Sequence, residues 1–122
     1  MLIGSRQRLN QCTGNPHIVI GNHSIQHVPD KKILGVIIDE QLRWTEHNDA
    51  QCKKISKSIA LLRRAKQFVT QDDFLNMFNS LILPHFTYCS NVWNDGNCTH
   101  IEKLYKLLKR AARVITDSNY EI

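Results

Sequence analysis

The hydrophobic period changes at Thr45, and that change constrains the fold more than any other feature of this 122-residue chain. Before it, apolar residues come in short alternating or continuous runs. His17-Ile18-Val19-Ile20 is followed by Gly21-Asn22 and then by Ser24-Ile25-Gln26-His27-Val28. Gly-Asn between two such runs predicts a hairpin, because both residues tolerate positive φ. Pro29-Asp30 breaks the strand, and Ile33-Leu34-Gly35-Val36-Ile37-Ile38 reads as a nearly continuous apolar strand that needs cover on both faces. Met1-Leu2-Ile3-Gly4 reads as one more strand of the same small sheet.

From Thr45 onward the period is helical. Thr45 is a candidate N-cap, and Cys52, Ile55, Ile59, Leu62, Ala65 and Val69 share one face of a helix running to about Phe68. Thr70 with Asp72 and Asp73 starts the next helix, whose apolar face is Phe74, Met77, Phe78, Leu81 and Ile82. Pro84 ends or kinks it, and Phe86, Cys89, Val92 and Trp93 continue at helical spacing to the turn Asn94-Asp95-Gly96-Asn97. Thr99-His100-Ile101-Glu102 reads as a capping box for the last helix, with Ile101, Leu104, Tyr105, Leu108, Ala111, Ala112 and Ile115 as its core face. The expected fold class is α+β: a short antiparallel β segment over residues 1–40, then a bundle of three to four helices over 41–122.

The charge follows this division. Sixteen Lys and Arg against eleven Asp and Glu give a net charge of +5. Residues 41–69 carry seven bases and two acids, residues 70–97 no base and three acids, and residues 98–122 five bases and three acids. Two basic segments therefore flank an acidic one, a distribution that suits a polyanionic partner. At 100° per residue, Lys53, Lys57 and Arg64 fall within about 40° of one another, opposite the apolar face of their helix. Lys103, Lys106, Arg110 and Arg113 crowd the far side of the last helix. Such lines of cations can follow a phosphate backbone and release its counterions; they are also what a solvated helix face carries.

Other classes find little support. No apolar run approaches the about 20 residues of a membrane helix. The N-terminal residues lack the features of a secretory signal, so an intracellular location and free thiols are expected for Cys12, Cys52, Cys89 and Cys98. The cysteines have no Cys-x-x-Cys spacing, no metal site is expected, and the five glycines are too scattered for a phosphate loop. His47 is expected to pack or cap, and Trp44, Tyr88 and Trp93 to serve as core aromatics. No catalytic constellation is present.

As an ordered set, several pieces are more specific than any one of them. Leu34-Gly35-Val36-Ile37-Ile38-Asp39, Leu42, Trp44, His47, Lys53-Lys54, Leu62-Arg63-Arg64 and Asn79-Ser80-Leu81-Ile82-Leu83-Pro84 are followed by Tyr88-Cys89, Trp93, Ile101, Leu104 and Lys109-Arg110-Ala111-Ala112-Arg113. The set resembles the segment after the catalytic core of non-LTR (LINE-like, jockey-type) retrotransposon reverse transcriptases, over nearly the whole chain. The resemblance implies terminal palm strands in residues 1–40, with a primer-grip-like hairpin at Leu34, Gly35 and Val36. It implies a thumb in residues 41–122 that closes over an RNA–DNA or DNA duplex, which favours the nucleic-acid reading of the basic stripes and makes Lys53, Lys57, Arg64, Lys103, Lys106, Arg110 and Arg113 the residues expected to contact it. It further implies that the rest of the palm is a partner and that Met1 is internal to a longer polyprotein. Independently of the resemblance, the run Ile33 to Ile38 has only about two or three strands and the helices to cover it, so exposed hydrophobic surface and self-association are expected. The family's Tyr/Phe-Ala-Asp-Asp strand, whose aspartates hold magnesium in the full-length enzymes, has no counterpart here. The chain alone is therefore not expected to be an enzyme or to carry a cofactor. Asn48, Leu108 and Phe78 depart from the family's usual residues. The competing reading is a non-catalytic helical protein-interaction module.

Overall fold

The computed structural model describes residues 1–12, 14 and 16–117. Its elements are α+β, with two separate two-stranded antiparallel sheets followed by helices. They fall into two compact units, Met1–His47 and Asn48–Ile122, the division lying in the first turn of a long helix.

In the first unit, residues expected to form a strand at Met1-Leu2-Ile3 are irregular, although the Gly4 amide donates to the Glu40 carbonyl at 2.9 Å. A short helix that periodicity did not disclose follows, α1 (Arg6–Gln11), with Ser5 Oγ accepting from the Arg8 amide at 3.3 Å. Strands β1 (Val19–Ile20) and β2 (His23–Ser24) make the expected hairpin, pairing Val19 with Ser24 and Ile20 with His23. Only Gly21 of its turn has positive φ.

The long apolar strand is the main correction. Ile33 to Ile38 folds back on itself: β3 (Asp30–Ile33) pairs antiparallel with β4 (Val36–Asp39), and Leu34-Gly35 is the turn. Leu34 and Gly35 have φ of 47° and 85°, the two positive values that a type I′ turn requires. The reversal sets Lys31 and Lys32 opposite Ile38 and Ile37, so of the run only Val36 is buried. Leu34 is 86% exposed. The hairpin at Leu34-Gly35-Val36 is thus present, while the strand covered on both faces is not. A leucine held left-handed is strained, whereas asparagine visits that region with little penalty. Leu34→Asn should stabilise the hairpin by about 0.5–1 kcal/mol. Amide exchange at Ile33 and Val36 should slow by about twofold to fivefold, and unchanged exchange would remove the strain argument.

Helix α2 (Thr45–Ala65) begins at Thr45 itself, after Trp44 at φ 63°. The Trp44 amide donates to Asp39 Oδ1 at 3.1 Å, and His47 is buried with Nδ1 accepting from the Ile37 amide at 3.2 Å. His47 is therefore a packed histidine, as expected.

In the second unit the expected face of α2 is the core face. Ile55, Ile59 and Leu62 pack with Phe74, Ile82 and Ala111, surrounded by Val69, Met77, Phe78, Phe86, Leu104, Leu107, Val114 and Ile115. A 3₁₀ turn (Lys66–Phe68) leads to α3 (Gln71–Leu81), whose N-cap is Thr70: its hydroxyl accepts from the Asp73 amide at 3.3 Å and donates to Asp73 Oδ2 at 2.7 Å. Leu81, expected on the apolar face, is exposed.

Pro84 sits in the first turn of α4 (Leu83–Thr87), where its missing N–H is harmless, so the helix restarts rather than kinks. The expected continuation to Trp93 is interrupted, because Cys89 adopts φ 52° and separates α4 from α5 (Ser90–Trp93). Trp93 is buried with its indole N–H donating to the Tyr88 carbonyl at 2.7 Å, but the Tyr88 ring is exposed and is not a core aromatic. Helix α6 (Cys98–Thr116) is capped by Asn97, whose side chain accepts from the Thr99 amide at 3.0 Å, so Thr99 lies inside the helix and forms no capping box.

The core face of α6 is also turned from the expected one. His100, Leu104, Leu107, Ala111, Val114 and Ile115 point inward, while Ile101, Tyr105, Leu108 and Ala112 are exposed. At 100° per residue the two faces differ by about 70°. Periodicity locates an apolar stripe, but α6 has apolar residues over more than half its circumference, and packing selects which part is covered.

Candidate nucleic-acid interface

Helices α2 and α6 run side by side in the same direction. Near their starts Asn48 Nδ2 lies 3.4 Å from His100 Nδ1, and Lys103 Nζ donates to Asp49 Oδ1 at 3.1 Å. Near their ends Lys66 Nζ donates to the Val114 carbonyl at 2.7 Å and pairs with Asp117. Lys66 Nζ also lies 5.7 Å from the centroid of the Phe74 ring. This lysine joins the C-terminal end of α6 to the 3₁₀ turn that follows α2, satisfying a terminal carbonyl where the helix dipole favours a cation.

Between the two helices runs a groove of about 460 Å³ lined by Cys52, Lys53, Ser56, Lys57, Lys103, Lys106 and Leu107. Four of the seven basic residues expected from sequence to contact nucleic acid therefore meet along one feature. Leu107 also packs on the core, so the floor of the groove is the outer surface of the hydrophobic core. Along α2, Lys53 and Lys57 are separated by about 6 Å of rise, which sets the cations one helical turn apart on that wall. The lysine stems lie over apolar surface while their ammonium groups reach water.

The other three residues are placed differently. Arg64 is exposed and, eleven positions after Lys53, lies about 20° from it around α2, so it prolongs that wall toward the C-terminus. Arg110 is exposed and prolongs the wall of Lys103 in the same way, seven positions on. Arg113 is half-buried and engaged in an interaction of its own, so it does not belong to an exposed stripe as expected. Leu34, Gly35 and Val36, for which the resemblance implies a primer-grip-like role, form the turn and first β4 residue of the β3–β4 hairpin in the other unit.

Two titratable groups report the electrostatics of this unit. Burial raises the Cys52 thiol pKa above its ordinary value; the Asp49 carboxylate raises it further and Lys103 pulls it back. His85 is lowered by burial and then by Lys54, which favours the neutral ring; its Nδ1 then donates to Gln51 Oε1 at 3.1 Å. Among the described residues no three His, Cys, Asp or Glu side chains form a group that could hold a metal ion, and no helix is long and apolar enough to cross a membrane.

Neither the groove nor the pairing of Asp49 with Lys103 could be read from spacing alone. Lys53 and Lys103 are fifty positions apart, and the sequence signal that each lies on a basic stripe does not say that the stripes face one another. No family model matches the chain, and no curated protein or solved structure matches it.

Proposed function

We propose that the chain is the palm-edge and thumb portion of an RNA-directed DNA polymerase of a non-LTR mobile element, its helical unit holding the phosphate backbone of a primer–template duplex. The observation that carries the reading is the groove between α2 and α6, where Lys53, Lys57, Lys103 and Lys106 converge from two separate basic segments. The β3–β4 hairpin at Leu34-Gly35-Val36 supports the palm-edge part of the reading. On this reading the chain binds and positions nucleic acid, and the nucleotidyl transfer belongs to the family's Tyr/Phe-Ala-Asp-Asp strand, which has no counterpart here; Asp72 and Asp73 stand instead in the first turn of α3. The lysines touch phosphate rather than base edges, so binding is independent of sequence.

The second reading, a non-catalytic helical protein-interaction module, draws on another feature. Ile101, Tyr105 and Leu108 leave an apolar strip exposed on α6, beside Phe86 and Trp93. Titration of a mixed-sequence duplex against salt separates the two. The polymerase reading expects log affinity to fall with log salt at a slope at least as steep as about −2.7, the value for three neutralised phosphates. Failure to bind duplex at low salt would leave the interaction module as the better account.

A further inference from the structure

Resting on the nucleic-acid reading of the groove, we infer that Asp49 is a built-in competitor of the phosphate backbone, occupying Lys103 and so tuning how tightly the groove holds a polyanion. Of the four groove lysines, Lys103 has its ammonium at 3.1 Å from a carboxylate, that of Asp49 on the facing helix. Both side chains are open to solvent, at 49% for Lys103 and 43% for Asp49, so a phosphate can reach this lysine only by displacing the carboxylate or sharing the ammonium with it. Cys52 on the groove wall senses both members of the pair, Asp49 as an anion and Lys103 as a cation. Lys103 is in this way held for the protein's own anion, while Lys53, Lys57 and Lys106 carry the standing affinity. The Asp49 carboxylate also projects negative potential beside this groove lysine. It thereby favours ligands dense enough in charge to displace it, such as a continuous duplex backbone, over isolated anions.

The test compares wild type, Asp49→Asn, Lys103→Gln and the double variant, each binding a fluorescent mixed-sequence DNA duplex over a range of salt. At about 0.15 M salt, where charges beyond about 8 Å are screened, Asp49→Asn should tighten binding about twofold to fivefold, the range spanned by exposed ion pairs. The salt slope should steepen by up to about 0.9, because the freed Lys103 can neutralise one more phosphate. In the Lys103→Gln background the same change should tighten binding clearly less, because only the carboxylate's own potential is then removed. Equal tightening in both backgrounds would mean that Asp49 acts only through overall charge, which overturns the inference and leaves the nucleic-acid reading standing. No binding by any of the four proteins would remove that reading and the inference with it.

A readout without nucleic acid checks the geometry. At pH about 8.5, near the ordinary thiol pKa, Asp49→Asn should speed alkylation of Cys52, because one cause of its raised pKa is gone. Lys103→Gln should slow it, because a stabilising cation is gone. Mass spectrometry resolves Cys52 from Cys12, Cys89 and Cys98. Rates at Cys52 that respond to neither change would place the pair away from the groove in solution and overturn the inference. Asp49→Ser provides the same comparison if the asparagine variant folds poorly.

Discussion

Replacing Lys53, Lys57 and Lys106 together with glutamine should flatten the salt dependence of duplex binding by about 2.7 units of log affinity per log salt, three phosphates at about 0.9 each. The consequence in affinity is large. For wild type, a fourfold rise in salt weakens the share of binding due to these lysines by about 40-fold, and the triple variant loses that sensitivity. All three side chains are exposed and form no ion pair among the described residues, so helix content and melting temperature should hold. The residues to change are chosen by the groove, not by the stripe. Arg113 belongs to the stripe by spacing, yet it is half-buried and engaged, and replacing it would confound binding with folding. A slope that does not move in a folded triple variant would reduce the lysines to a solvated surface.

Phe74→Ala should be the most damaging single change in the helical unit. Phe74 is 1% exposed and packs with Ile55, Ile59, Leu62, Ile82 and Ala111. Truncating such a ring costs about 3–5 kcal/mol, from lost transfer free energy and the cavity left behind. A small domain has only about 5–15 kcal/mol in hand, so the variant should be partly unfolded at 37 °C or melt tens of degrees lower. Two companions make the result interpretable. Ile59→Val, at a fully buried position, should cost about 0.5–1.5 kcal/mol. Phe68→Ala, at a ring that is 80% exposed, should change stability by less than about 0.5 kcal/mol. Calorimetric melting of the three variants checks the order; a Phe68 variant as unstable as the Phe74 variant would mean that the core is not built around Phe74.

Phe68 and Phe74 show what periodicity reads and composition does not. Both are phenylalanines near a helix boundary, six positions apart, and composition does not distinguish them. Phe68 comes thirteen positions after Ile55, about 140° from it around a helix and so off the core face of α2, whereas Phe74 stands on α3 at a position that faces α2. The β segment is where the local reading fails. A continuous apolar run reads as a buried strand, but Leu34-Gly35 carries the turn, because glycine admits positive φ and the paired strands then hold leucine there against its preference.

The helices α2, α3 and α6, the core face of α2, the cap at Thr70 and the α+β class were all determined by local sequence. These depend on periodicity and on donors and acceptors within a few residues of each other. The orientation of α6, the break at Cys89, the partner of Lys103 and the meeting of Lys53 and Lys57 with Lys103 and Lys106 were decided only by tertiary structure. Each depends on which of several apolar stripes is covered, and on residues tens of positions apart. Burial of a face is a property of the helices around it, and a charge acquires its partner only when another element brings one within reach.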